Sequence, residues 1–234
     1  PPRSTLFPYT TLFRSGPSFE DILNGFNDPT RWLTYSGDYS GRRHSPLTQI
    51  TQSNVDQLRP VWTFQTGTTT RGRGFEPTPL LDNGVLYVTG SKNYAWALDA
   101  RTGRAFWRYR RNLPNDLTYG ASAPVNRGFG MLGNQLFMVT LDAYLMSFDR
   151  RTGDVLWERE LADYRIGYSA TLAPLVLDNK VIVGISGGEY QTRGFIDAFD
   201  PVSGERIWRF NTVPGPGEAD RKSTRLNSSH VKRS

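Results

Sequence analysis

The 234-residue chain contains no cysteine and only two histidines, His44 and His230. Without cysteine there is no internal disulfide, no thiolate metal centre and no c-type haem attachment motif. Two isolated histidines make no zinc cluster. No apolar run approaches the length of a membrane-spanning helix. The net charge of +6 suggests nucleic acid, but its distribution argues against that reading. Residues 1–15 and 220–234 together hold seven of the 28 basic residues and one of the 22 acidic ones, so the body between them carries 21 of each and is formally neutral.

Those two ends differ from the body in other ways. Thr5 to Ser15 (TLFPYTTLFRS) and Asp220 to His230 (DRKSTRLNSSH) resemble translations of two common sequencing adapters. Residues 1–15 and 220–234 are therefore expected to be non-native flanks around a domain at 16–219, and they are set aside for fold reasoning.

Strand and turn signals dominate the body. Aromatic residues make up 13% of the chain, with 23 glycines and 15 prolines. An internal repeat organises them. LDARTGRAFW (Leu98 to Trp107), FDRRTGDVLW (Phe148 to Trp157) and FDPVSGERIW (Phe199 to Trp208) align without gaps, and their tryptophans lie 50 and 51 residues apart. Trp62, in PVWTFQTG, lies 45 residues before Trp107 and reads as the last strand of an earlier unit. Asp-x-x-(Thr/Ser)-Gly is a tight turn: the carboxylate accepts backbone N–H groups and the glycine supplies a positive φ. Each unit also has a hairpin signal, with Asp-Asn or Gly-Asn between apolar runs in Thr78–Gly90, Met131–Thr140 and Ala173–Ile185. Four short strands in about 50 residues is the size of one propeller blade, and a large flat indole suits the gap between neighbouring sheets. The expected fold is all-β, a partial β-propeller with tryptophan-docked blades. Ser18 to Asn24 reads as a short helix capped by Ser18, and Asn54 to Leu58 as a single turn. Trp96 falls outside the repeat. The Arg110-Arg111 and Arg150-Arg151 pairs read as solvated turn charges.

The stretch VIVGISGGEYQTRG (Val181 to Gly194) is unusual for a strand end. Two glycines permit close backbone approach, and a carboxylate, Glu189, follows at once. Read alone, Glu189 is a solvated residue after a Gly-Gly turn more often than a metal ligand. The tryptophan repeat and the SGGE stretch together resemble the quinoprotein alcohol dehydrogenases of the methanol/ethanol type, eight-bladed propellers that carry pyrroloquinoline quinone (PQQ) and a cation. The likeness runs through 16–219, including the lead-in RWLTYSGDYSGRRHSPLTQI and the junction RGFIDAFDPVSGERIWRFNT.

The resemblance implies a role for each matching position. Glu76 in FEPTP lies beside the quinone. Arg127 in VNRG contacts the quinone's reactive carbonyl side. Thr171 in ATLAP hydrogen-bonds a PQQ carboxylate. Ser186, Gly187 and Gly188 lie at the quinone, and Glu189 ligates Ca²⁺ or a lanthanide. Hard cations take oxygen ligands, and a cation beside a carbonyl acts as a Lewis acid. The family's vicinal cysteines are Ala121 and Ser122 here, so the pocket floor differs. The family's general base lies beyond residue 219. The implied substrate is a small primary alcohol, the implied electron acceptor a cytochrome or quinone, and the implied location the periplasm. Two alternatives are a non-catalytic propeller scaffold of the outer-membrane assembly type and a PQQ dehydrogenase acting on sugars or polyols. A partial ring holds only part of a central site, so the 234-residue chain expressed alone is expected to bind no PQQ and show no activity, and calorimetry with the quinone checks this. Micromolar binding would contradict it.

Overall fold

The computed structural model describes residues 15–68, 75–118 and 124–215. The expected flanks, apart from Ser15, lie outside the described residues, as do Ala121 and Ser122. Twelve strands form three four-stranded antiparallel sheets, each with strands in chain order. The first blade holds β1 (Leu80–Asp82), β2 (Val85–Gly90), β3 (Tyr94–Asp99) and β4 (Ala105–Arg110). The second holds β5 (Gly130–Leu132), β6 (Gln135–Val139), β7 (Tyr144–Asp149) and β8 (Val155–Glu160). The third holds β9 (Leu175–Leu177), β10 (Lys180–Gly184), β11 (Phe195–Phe199) and β12 (Arg206–Asn211). The first hairpins of the blades turn where the sequence indicated. Asn83-Gly84 and Asp178-Asn179 both have positive φ at two consecutive residues, the geometry of a tight two-residue hairpin.

One arrangement recurs from blade to blade. The Trp62 indole N–H donates to the Ala100 carbonyl (3.0 Å), Trp107 to Arg150 (2.9 Å) and Trp157 to Pro201 (3.1 Å). Each acceptor follows the Asp of the next Asp-x-x-(Thr/Ser)-Gly turn. Those Asp side chains accept N–H groups within their own turns, from Arg101, Arg151 and Val202 at 2.8, 2.7 and 2.9 Å. The turn glycines, Gly103, Gly153 and Gly204, have φ of +72°, +78° and +69°, and each indole lies flat on one of them. A Cβ at Gly153 would fall 2.7 Å from the Trp107 ring. The glycine therefore serves both the turn and the indole above it. Trp62 docks as the others do, although residues 61–66 form no regular strand among the described residues.

The main core runs through the blades on Leu80, Tyr87, Phe129, Phe137, Phe148, Val181 and Phe199, with Ile22 and Leu33 from the N-terminal segment. That segment begins with α1 (Phe19–Leu23), capped by Ser18 in a reciprocal box with Asp21, and the expected turn appears at Val55–Gln57. It crosses the inner edges of the sheets. Trp32 pairs with Leu81 of β1 through two backbone bonds of 2.8 and 2.9 Å, and the Tyr39 hydroxyl donates to the Val176 carbonyl of β9. Trp96, outside the repeat, fills a second cluster on the far face of the first blade, edge-on to Phe64 and stacked with Tyr94.

Two arginines expected in solvent are inside. Arg150 is fully buried and paired with Asp82, also fully buried, whose other oxygen accepts from Arg31 of the N-terminal segment (2.8 Å). Arg111 pairs with Asp142 of the second blade (2.7 Å) and with Glu158 (2.9 Å). Burial works against the charge of Arg111, but the bonds to Asp142 and Glu158 prevail and raise its pKa. The sequence reading failed here because each partner lies dozens of residues away. Arg110 and Arg151 are exposed as expected.

The docking geometry predicts unequal costs for two glycine substitutions. Gly133 also has positive φ (+55°), but nothing lies within 4 Å of its missing Cβ. Gly133→Ala is expected to cost about 1 kcal/mol from backbone conformation alone. Gly153→Ala adds the collision with Trp107 and is expected to cost about 2–4 kcal/mol. Urea unfolding of the two variants checks the difference, and equal costs would refute the indole contact.

Candidate functional site

At one end of the arc, the segments leading into the inner strands β1, β5 and β9 run side by side. The Thr78 N–H donates to the Arg127 carbonyl (3.0 Å), and the Arg127 N–H donates to the Thr171 carbonyl (3.0 Å). Three blades are thus joined by one backbone ladder. Close approach is enforced at Gly128 (φ +131°), where a Cβ would lie 2.8 Å from the Thr78 carbonyl oxygen.

This ladder brings three of the sequence-predicted residues into one row. The Arg127 guanidinium forms an ion pair with the Glu76 carboxylate on one side (3.1 Å) and donates to the Thr171 hydroxyl on the other (2.6 Å). Arg127 and Glu76 are each about 40% exposed at the side chain, so their charges remain accessible. Arg127 also lines a cavity of about 380 Å³ with Tyr35, Asp38 and Tyr39 of the N-terminal segment and Leu172 to Leu175. That volume lies in the range of small-molecule pockets.

The SGGE stretch stands at the same end, because it follows β10, which runs antiparallel to β9. Ser186 and Ser169 form an isolated antiparallel bridge with both bonds present, Ser186 N–H to the Ser169 carbonyl (2.8 Å) and the reverse (3.2 Å). Gly187 is buried with φ +129°, and a Cβ there would strike the Gly167 carbonyl. Packing within the chain itself therefore requires glycine here. Gly188 differs, with open space where its Cβ would be. Glu189 is exposed on the single turn Gly188–Tyr190. Among the described residues no three His, Cys, Asp or Glu side chains come together as a metal cluster. Glu189 is thus one carboxylate, a fraction of the six to eight oxygens that a calcium ion takes.

Several supporting residues escaped the sequence reading. Asn126, 1% exposed, donates to the Val139 carbonyl (2.9 Å) and accepts from the Gly128 N–H (3.0 Å), which fixes the turn carrying Arg127. Asn93, fully buried on the first blade, donates to the same carbonyl (3.2 Å) and accepts from the Leu141 N–H (2.8 Å). Ser169, 8% exposed, lies opposite Ser186. Asn126 was within reach, since it adjoins Arg127 in VNRG. Asn93 and Ser169 carry no signal along the chain.

An arc of four-stranded sheets with tryptophan-docked blades defines a partial β-propeller, and likeness to known proteins gives its family. Residues 32–233 match the family described as PQQ glucose/ethanol/alcohol dehydrogenase, beta-propeller domain, and the chain belongs to it. The quinoprotein alcohol dehydrogenase PedH of Pseudomonas putida is 40% identical over 198 residues, which is 85% of this chain and 33% of that protein. The 1-butanol dehydrogenase (quinone) of Thauera butanivorans is 37% identical over 204 residues, 85% of this chain and 32% of that protein. Among solved structures, a europium-containing methanol dehydrogenase superposes with a TM-score of 0.78 at 34% identity, covering 83% of this chain and 34% of its own. The quinohemoprotein alcohol dehydrogenase ADHIIG of Pseudomonas putida HK5 gives 0.79 at 33% identity, covering 91% and 31%. The chain spans about a third of the length of these relatives.

The half-exposed Glu76–Arg127 pair contributes little to folding. Glu76→Gln and Arg127→Gln are each expected to change the unfolding free energy by less than about 1 kcal/mol, as solvent-screened pairs do. Chemical denaturation measures this, and a loss of 3 kcal/mol or more would make the row a structural clamp.

Proposed function

We propose that this chain is part of a PQQ-dependent dehydrogenase that oxidises a primary alcohol. It supplies one side of the cofactor site through Glu76, Arg127, Thr171, Ser186 and Gly188, with Gly187 holding the turn. The observation that carries this reading is the Glu76–Arg127–Thr171 row, assembled from three blades beside the SGGE turn in a chain of this family. The residues present suit the cofactor. PQQ is a polycarboxylated quinone, and the row offers a guanidinium and a hydroxyl, which are donors for anionic oxygen. The buried Ser169 hydroxyl, which meets no partner among the described residues, adds to that donor set.

When bound, PQQ supplies the acceptor for the hydride and so carries the redox chemistry. The chain's own residues orient and stabilise it. Arg127, steered by Glu76 and Thr171, presents a fixed positive charge to oxygen that gains negative charge. Glu189 contributes carboxylate oxygen to a hard cation, calcium or a lanthanide, whose remaining ligands come from elsewhere in the protein. A periplasmic location and a cytochrome or quinone electron acceptor complete the proposal. The scaffold alternative gives no reason for an arginine held between Glu76 and Thr171 across three blades. The sugar and polyol alternative separates by substrate.

The test uses the whole protein that carries this sequence, loaded with PQQ and Ca²⁺ or La³⁺ in a dye-linked assay. Primary alcohols are expected to be oxidised, with Arg127→Ala lowering kcat/KM by about 10²–10³. Turnover of glucose with no alcohol activity supports the sugar alternative. Failure to bind PQQ with either metal removes the enzyme reading.

A further inference from the structure

We propose that the Ser169 hydroxyl is a further ligand-facing donor of this site, hydrogen-bonding a carboxylate or carbonyl oxygen of the bound quinone. The proposal deepens the cofactor reading above and rests on it. Three observations lead to it. First, Ser169 and Ser186 exchange both backbone bonds, at 2.8 and 3.2 Å. In antiparallel pairing such directly opposed residues set their side chains on the same face, with Cα atoms about 5.5 Å apart. Ser169 therefore shares a face with a residue of the SGGE turn. Second, Thr171 lies only two residues further along the chain, where its carbonyl accepts from the Arg127 N–H (3.0 Å). Ala170, between them, is fully buried and belongs to the main core. The Thr171 hydroxyl accepts from Arg127 at 2.6 Å, so the row lies two residues along the chain from Ser169. Third, Ser169 is 8% exposed and its Oγ meets no hydrogen-bond partner among the described residues.

Buried hydroxyls in folded proteins are nearly always paired, and an unpaired one is a standing cost. Alanine would fill the same backbone bridge without it. A hydroxyl without a partner among the described residues, opposite Ser186 and two residues from Thr171, has its role supplied by a ligand that brings the acceptor. Hydroxyl-to-carboxylate bonds are charge-assisted and are among the stronger ones.

The experiment compares PQQ binding by calorimetry to the metal-loaded apo form of the whole protein and its Ser169→Ala and Ser169→Thr variants. Thermal unfolding of each apo form is measured alongside. Ser169→Ala is expected to weaken PQQ binding about ten-fold, as loss of a hydrogen bond to a charged group does, while leaving the apo unfolding midpoint unchanged or slightly raised. Ser169→Thr, which keeps the hydroxyl, is expected to bind within about three-fold of the wild type. If Ser169→Ala folds poorly, Ser169→Cys keeps the volume with a much weaker donor and is read the same way. Binding by the alanine variant within two-fold of wild type overturns this proposal and leaves the cofactor reading standing. Absence of PQQ binding by the wild type overturns both.

Discussion

The structure depends on an indole ring lying flat on a glycine. Each docking tryptophan, Trp107 and Trp157 from outer strands and Trp62 from the segment before the first blade, covers the turn glycine of the next blade and donates its N–H to a carbonyl in the same turn. The contact combines buried aromatic area with a directional bond, so it fixes both spacing and rotation between sheets. Ordered sheets bring their inner edges together, where the Thr78–Arg127–Thr171 backbone ladder forms. The candidate site follows from that ladder. Trp208 presents the same ring with no further turn against it among the described residues, and it is 40% exposed.

Charge is used in two ways. Arg150, Asp82 and Arg31 are sequestered and connect the second blade, the first blade and the N-terminal segment. Arg111 bridges the first and second blades through Asp142. Breaking such pairs leaves a buried charge uncompensated, which makes them strict structural links. Arg127 is different. It is held by two partners yet remains 41% exposed at the side chain, oriented without being consumed. An orienting pair that adds little stability is what a binding site requires of its charges.

The SGGE turn illustrates how one motif divides its tasks. Gly187 meets a steric demand of the chain itself against the Gly167 carbonyl, whereas Gly188 leaves space. Ser186 is fixed by its bridge to Ser169, and Glu189 projects from the following turn. The turn that carries Arg127 is held differently, by Asn126, which with Asn93 forms a pair of buried amides converging on the Val139 carbonyl. They position the site without facing it.

The blades are legible along the chain. Strand alternation, hairpin dipeptides, the Asp-x-x-(Thr/Ser)-Gly turn and the recurring tryptophan are local signals, because each acts within a few residues or repeats at a fixed period. They were enough for the all-β propeller class, the capped helix at Phe19–Leu23 and the hairpins. The residues quoted for the site were legible through likeness to a family, since Glu76, Arg127 and Thr171 are each unremarkable alone. That these three touch, 51 and 44 residues apart in the chain, and that Arg111 and Arg150 lie inside, emerges from the folded structure alone. That structure alone explained Gly187 by packing and placed Ser169 beside Ser186. These are facts about partners distant along the chain, and the chain fixes such partners only after the indoles have set one sheet against the next.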